Sequence, residues 1–343
     1  MPPPTASSGA KAADALKRHC HHMINTLGPA APPEAFLFRA NAYYALGRPY
    51  LALADYNTAA LVLHLSGSHQ VRCHRAIERF PARQVATYPG TDSHLHIFVR
   101  PRLGPAVALV AAVDAACGRG LVAEADLPAG ATVLRQDVPW LQYATLDESC
   151  ACCGAALPER AFACVNPECH EEYCSRDCRT AAMALYHAAV CTNSAFQGIE
   201  LDLYTQMRTA AHEGAARAQR RLAQELLMVR LMAVAVQAQV VPSAMPQLRF
   251  LSGRIAYAPA ELSGATLHLY ERLAQALRVH TMVSYEEMLG ILARVRTNAT
   301  FTDETIALRL SRTMVNHSCA PNAAEDAASG ELRTTRPVKR GSS

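Results

Sequence analysis

No stretch of this chain is apolar for long enough to cross a membrane. The best candidates are broken by Asp114 in one case and by Arg230, Gln237 and Gln239 in the other, whereas a spanning helix needs about 20 predominantly apolar residues. The opening run MPPPTASSGAKAADALKR lacks the apolar core of a secretion signal. Strong charge of either sign is missing as well. Lys and Arg number 33 against 29 Asp and Glu, a net +4 over 343 residues. The basic residues are spread rather than gathered, which argues against a nucleic-acid partner and leaves room for a weak acidic partner surface. With 50% hydrophobic residues, the chain can bury a substantial core in about two or three domains. The expected setting is cytoplasmic, nuclear or both, with no membrane partner.

Cysteine, by contrast, is plentiful, and most of the 12 stand at metal-type spacing. In a chain without a secretion signal that pattern points to a reducing compartment. Eight ligands fall in one short stretch: Cys150 and Cys153, Cys164 and Cys169, Cys174 and Cys178, then His187 and Cys191. Four thiolate or imidazole ligands at about 2.0–2.3 Å close one tetrahedral Zn²⁺ site, so eight imply two zinc ions with no open position, structural rather than catalytic. Cys152 has no place in the spacing. His19-Cys20-His21-His22 reads as a solvated cluster, because adjacent residues on a helix point in different directions. Cys20, Cys73 and Cys117 are most simply free thiols.

Residues 34–64 read as a helical hairpin broken at Gly47. It resembles a tetratricopeptide repeat, with Ala40, Tyr43, Ala52, Tyr56 and Ala59 where that repeat puts its packing residues and Leu46-Gly47 at the turn; a generic helical hairpin is the plainer alternative. One repeat cannot bury its own face, and residues 11–27 and 68–80 have the composition of flanking half-repeats. Residues 81–117 look like a linker. From Gly118 the apolar–polar alternation around Pro128-Ala129-Gly130 suggests a β-hairpin. Residues 196–240 turn helical, with Leu222, Leu226, Val229 and Ala233 on one core-facing stripe, and 265–295 form another helical run.

The cysteine order C-x2-C, C-x4-C, C-x3-C, H-x3-C resembles a MYND finger. The family pattern pairs Cys150, Cys153, Cys174 and Cys178 on one ion and Cys164, Cys169, His187 and Cys191 on the other. A second signature, Asn316-His317-Ser318-Cys319-Ala320-Pro321-Asn322, resembles the core of SET-domain lysine methyltransferases, and Gly118-Arg119-Gly120-Leu121 resembles the loop that opens the same fold. A SET domain split by a MYND finger and preceded by tetratricopeptide repeats is the arrangement of the repeat-bearing SMYD subgroup. The resemblance implies an α+β chain with six segments. These are a repeat-like helical region (1–80), the linker (81–117), the first part of the SET domain (118–149), the zinc finger (150–191), a helical insert (192–300) and the SET core (301–343).

That resemblance further implies an S-adenosylmethionine-dependent protein-lysine methyltransferase, with Arg119, Asn298, Asn316 and His317 around the cofactor. Neutral polar groups suit this task, since they orient a zwitterion without neutralising the sulfonium. Cys117 stands where many relatives carry Lys. For Arg119 an ordinary surface role, and for Asn298 a loop residue satisfying its own backbone, are the alternatives. The family's catalytic tyrosine follows a G-E-E-L segment, which would lie beyond Ser343; on this reading the chain is C-terminally shortened, its catalytic residue is unknown, and Cys319 lacks the partners with which relatives bind a third zinc. The implied partner is a protein with a target lysine, histone or otherwise, and MYND fingers also dock proline-rich peptides. A non-catalytic adaptor is therefore the competing class.

Overall fold

The computed structural model describes residues 8–27, 32–46, 48–59, 83–85, 97–110, 119–136, 138–255, 264–280, 282–302, 304–326 and 329–342. Helices and small antiparallel sheets combine in an α+β fold. The chain divides into two units, residues 1–84 with 254–290, and residues 85–253 with 291–343. The stretch 192–300 is thus shared between them. Among the described residues no helix is long and apolar enough to cross a membrane.

The first unit is helical. Helix α1 (Ser8–Leu27) packs on α2 (Pro33–Ala45), which packs on α3 (Pro49–Asn57). Prolines at the starts of α2 and α3 supply the fixed φ that suits a first helical turn. Leu37, Ala40 and Tyr43 meet Ala52, Tyr56 and Ala59 in one buried cluster, the alanines allowing the two helices to approach closely. Beside it Arg39 makes a bidentate pair with Asp55, Nε to Oδ2 at 2.7 Å and Nη2 to Oδ1 at 2.9 Å. Both side chains are buried. Burial pushes the Asp55 carboxyl up, to about 6, against the pull of Arg39, and the pair is ionised at neutral pH. Cys20 of α1 is buried, and residues 68–80, Cys73 and Cys117 lie outside the described residues.

The second unit carries most of the β structure. Strand β1 (Val107–Val110) pairs antiparallel with β2 (Gly120–Ala123) in the register Val107 to Ala123. The expected hairpin around Pro128-Ala129-Gly130 does not form: β3 (Thr132–Leu134) pairs instead with a C-terminal strand, Leu332–Thr334. The turn residues explain why. Gly130 N–H donates to Thr334 O at 2.8 Å, Leu127 N–H donates to Val338 O at 2.8 Å, and the Thr334 hydroxyl donates to Pro128 O at 2.6 Å. The 127–131 segment spends its polar groups on the distant C-terminal chain, so non-local pairing displaces the local one. Residues read as linker supply β1.

Strand β4 (Leu141–Ala144) precedes the cysteine-rich segment, in which β5 (Phe162–Ala163) pairs with β6 (Glu172–Tyr173) ahead of helix α4 (Arg176–Leu185). Helices α5 (Ser194–His212) and α6 (Ala216–Ala238) then pack on each other, and α6 lies against β4. Leu222, Leu226, Val229 and Ala233 are buried as their spacing requires, the last three within a run from Glu225 to Ala235 that is buried throughout. Strands β7 (Thr300–Phe301) and β8 (Thr305–Leu308) complete a sheet with β4, and β9 (Ala323–Glu325) and β10 (Leu332–Thr334) one with β3.

Removing Asp55 leaves the buried Arg39, among the described residues, with only His21 at 3.1 Å and Glu271 at 3.8 Å as polar partners, and breaking a buried pair of this kind costs up to about 3–5 kcal/mol. Asp55→Ala is expected to raise amide exchange across α2 and α3 accordingly. Arg39→Met in the same chain should recover part of the loss. Unchanged protection in the single variant would show that the pair carries no such role.

Candidate metal centres and cofactor cavity

The eight cysteine and histidine side chains converge as two groups, Cys150, Cys153, Cys174 and Cys178, and Cys164, Cys169, His187 and Cys191. Within each, all ligand atoms lie within 4.8 Å of one another, so each can hold a metal ion. Sulfur atoms of Cys153 and Cys174 stand 3.5 Å apart, and those of Cys174 and Cys178 3.6 Å. In the other group Cys164 Sγ lies 3.5 Å from Cys191 Sγ and 3.3 Å from His187 Nε2. A tetrahedron with Zn–S bonds of about 2.3 Å has edges of ~3.8 Å, so the spacing fits zinc with slight contraction.

Local structure places these ligands. Ser175 caps α4, accepting the Cys178 N–H at 3.1 Å, which fixes Cys174 and Cys178 on either side of the helix start. Gly154 follows Cys153 at φ +68, and a Cβ there would lie 2.4 Å from Thr305 Cγ2, so both the turn and the contact with β8 require glycine.

Without a cation, most of the thiols whose shifts are resolved favour the neutral form. Burial pushes the Cys169 thiol up to about 12, with Cys164 and Cys191 adding to it. Burial and the neighbouring sulfurs likewise raise Cys153, Cys174 and Cys191. Cys150 is the exception: burial opposes ionisation there, but backbone N–H groups of Cys153, Cys174 and Cys152 aimed at its sulfur bring it down to about 7. Thiols held this close repel one another once ionised, and a divalent ion reverses that cost. His187 turns Nε2 toward the sulfurs and Nδ1 toward Glu171 Oε2, 3.1 Å away. Carboxylate partners of this kind fix the orientation of a metal-binding imidazole. Cys152 belongs to neither group; burial, with Cys178 and Cys150 beside it, raises its thiol to about 12. His19, Cys20, His21 and His22 form no metal-holding group among the described residues.

Sequence reasoning treated Arg230 only as a charge that interrupts an apolar run. In the fold it is buried on α6, its guanidinium 4.2 Å from the Tyr143 ring and 4.6 Å from the Tyr186 ring. Nη1 donates to Ala151 O at 2.8 Å and to Gln142 O at 3.2 Å, while Glu200 and Glu171 oxygens lie 3.7 and 3.8 Å from Nη2. The available signal was a lone arginine inside an apolar stripe, because such a charge is almost never fully buried unless paired.

A second site, a cavity of about 260 Å³, is walled by Leu127 and residues of β1, β2 and β3 on one side and by residues 315–318, 321–323, Leu332, Thr334 and Val338 on the other. Asn316, His317 and Ser318 line it. Asn316 Nδ2 is buried and has no hydrogen-bond partner among the described residues. His317 is exposed, 3.6 Å from the exposed Cys319 sulfur. Arg119 and Asn298 are not in the lining: Arg119 Nη2 donates to Phe250 O at 2.6 Å, and Asn298 Nδ2 to Ser252 O at 2.7 Å and Arg294 O at 2.8 Å. The two pin the 250–252 backbone instead. Compared with known proteins, the chain matches no family model and no curated protein.

Protein purified under reducing conditions is expected to carry about two zinc ions per chain. Cys174→Ala should lose one and Cys169→Ala the other, by elemental analysis. Metal-free folded protein would remove both centres. Arg230→Met should keep the helical content but speed zinc release to a chelator, because Glu171, which faces His187, loses its nearby cation; an unchanged release rate would separate Arg230 from the finger.

Proposed function

We propose that this chain is an S-adenosylmethionine-dependent protein-lysine methyltransferase of the SMYD type, its finger held by two structural zinc ions. The observation that carries the reading is Asn316: a buried amide donor without a partner, at the wall of a cavity that His317 and Ser318 also line. An unmet buried donor costs about 1–3 kcal/mol, and a ligand acceptor would remove that cost. Among the described residues the lining contains no Asp, Glu, Lys or Arg, so these walls place no fixed countercharge beside a zwitterionic, sulfonium-bearing ligand. Apolar side chains such as Leu121, Leu127 and Val133 exclude water, and a volume near 260 Å³ sits just under the usual ~300–1,000 Å³ of small-molecule sites.

When bound, the cofactor supplies an electrophilic methyl group for in-line attack by a lysine amine. Asn316 then orients it by donating from Nδ2, with His317 at the exposed mouth. Arg119 and Asn298 act through position, fixing the 250–252 chain. A free lysine titrates near 10.4, so the site must receive the amine neutral and hold it in line.

A non-catalytic adaptor is the second reading, favoured by a larger cavity beside the finger. Cofactor binding separates the two. Calorimetry should detect S-adenosylmethionine binding, weakened by about 1–3 kcal/mol in Asn316→Ala if the amide meets a buried acceptor. Equal affinities for wild type and variant would end that role for Asn316, and a zinc-loaded chain with no measurable cofactor binding would favour the adaptor.

A further inference from the structure

A cavity of about 690 Å³ opens between the finger and α5, wholly within the second unit. Its lining is mostly apolar, with Leu146, Leu157, Val190 and Leu201 among the side chains. Leu201 is 65% exposed and Leu146 40%. The floor is acidic. Glu200 and Glu171 both face Arg230, the only Lys or Arg along the lining among the described residues, at 3.7 and 3.8 Å. Arg230 spends Nη1 on the carbonyls of Gln142 and Ala151, so two carboxylates share one cation from beyond hydrogen-bond range. Glu171 accepts from the Tyr173 hydroxyl at 2.7 Å. Glu200 has no such partner: its Oε1 is buried and makes no hydrogen bond. Glu148 and Glu172, both exposed, add negative charge at the rim.

We propose that this cleft docks an extended segment of a partner protein by taking in a lysine or arginine side chain. Apolar walls above an acidic floor match such a side chain part by part: the methylene stem lies along leucines and the charged head reaches Glu200. The unmet Glu200 oxygen is the acceptor, and a charge-assisted hydrogen bond is about twice as strong as a neutral one. A cavity of this volume takes more than one side chain, so residues flanking the basic one enter with it, an apolar neighbour resting on Leu146 or Leu201. Acidic segments are repelled by the same carboxylates. The inference goes beyond the cofactor reading and does not depend on it.

Gly198 supplies an independent handle. It lines the cavity from α5, and a Cβ built on it meets nothing within 4 Å, so alanine fits there without a clash and a large side chain is expected to obstruct the cleft. The zinc-loaded full chain would be tested against short-peptide pools in which a central position is fixed in turn as each amino acid, the flanks being random. Arginine- and lysine-fixed pools should bind most strongly. Glu200→Gln should lower that binding by about tenfold or more, the loss of one charge-assisted bond. Gly198→Trp should abolish it, and Gly198→Ala should leave it intact. Preference for proline-fixed or acidic pools, absence of binding by any pool, or basic pools that bind all variants equally would overturn the proposal. Should Glu200→Gln fail to keep its zinc, Gly198→Trp against Gly198→Ala decides alone.

Discussion

A guanidinium withdrawn from water costs several kcal/mol unless its donors and its charge are met; Arg230 Nε makes no hydrogen bond among the described residues, but its charge and its Nη1 donors are met by pieces of three elements. Its rings are Tyr143 of β4 and Tyr186 at the end of α4; its carbonyls are Gln142 of β4 and Ala151 of the finger. Desolvated cation–π contacts are worth about 2 kcal/mol or more, and hydrogen bonds to charged groups about 1.5–3. Burial opposes the charged form, but Tyr186, Glu200, Glu171 and Tyr143 outweigh it, so the charge persists. Sheet, finger and α6 therefore share one anchor, and each constrains the others through it.

That anchor reaches the candidate metal centre of Cys164, Cys169, His187 and Cys191. Glu171 stands between Arg230 and His187 Nδ1, and the Tyr173 hydroxyl donates to it. The cysteine-rich segment is tied to α6 by Gln237 as well, whose Nε2 donates to Met183 O at 2.6 Å and Ala184 O at 2.7 Å. Within it, Cys164, Cys169 and Cys191 form a buried cluster made entirely of candidate ligands, so a bound metal would add to the small core that a segment this short can build. Glu200, drawn toward the same arginine but left without a hydrogen bond, is the part of the network with capacity to spare. Burial raises its carboxyl to about 7, Arg230 opposing.

The smaller cavity depends on a different constraint, the return of the C-terminal chain. Strand β10 sits between β9 and β3, and the Val338 and Thr334 backbones bond to Leu127, Gly130 and Ala131. One wall of the cavity thus comes from residues 107–133 and the other from residues 315–342. Neither wall exists locally. Asn316 acquires its buried, unpaired amide only when the two segments close.

By itself the sequence determined what short-range chemistry determines. Paired cysteine spacing marks eight candidate ligands, the small-residue pattern of 34–64 marks a helical hairpin whose Gly47 and residues 60–64 lie outside the described residues, and the stripe through Leu222, Leu226, Val229 and Ala233 marks a buried helix face. Each signal lies within a few residues, where helix geometry or a short loop fixes the outcome. Tertiary structure decided everything that rests on distant partners. It moved β3 from the expected hairpin to the C-terminal strand, because the 127–131 backbone bonds there. It set Arg119 and Asn298 on the 250–252 chain while leaving Asn316 at the cavity, and it turned Arg230 from an interruption into the anchor. The physical reason is common to all three: a polar group announces its type in the sequence, but its partner is whichever group the long-range packing brings within about 3 Å.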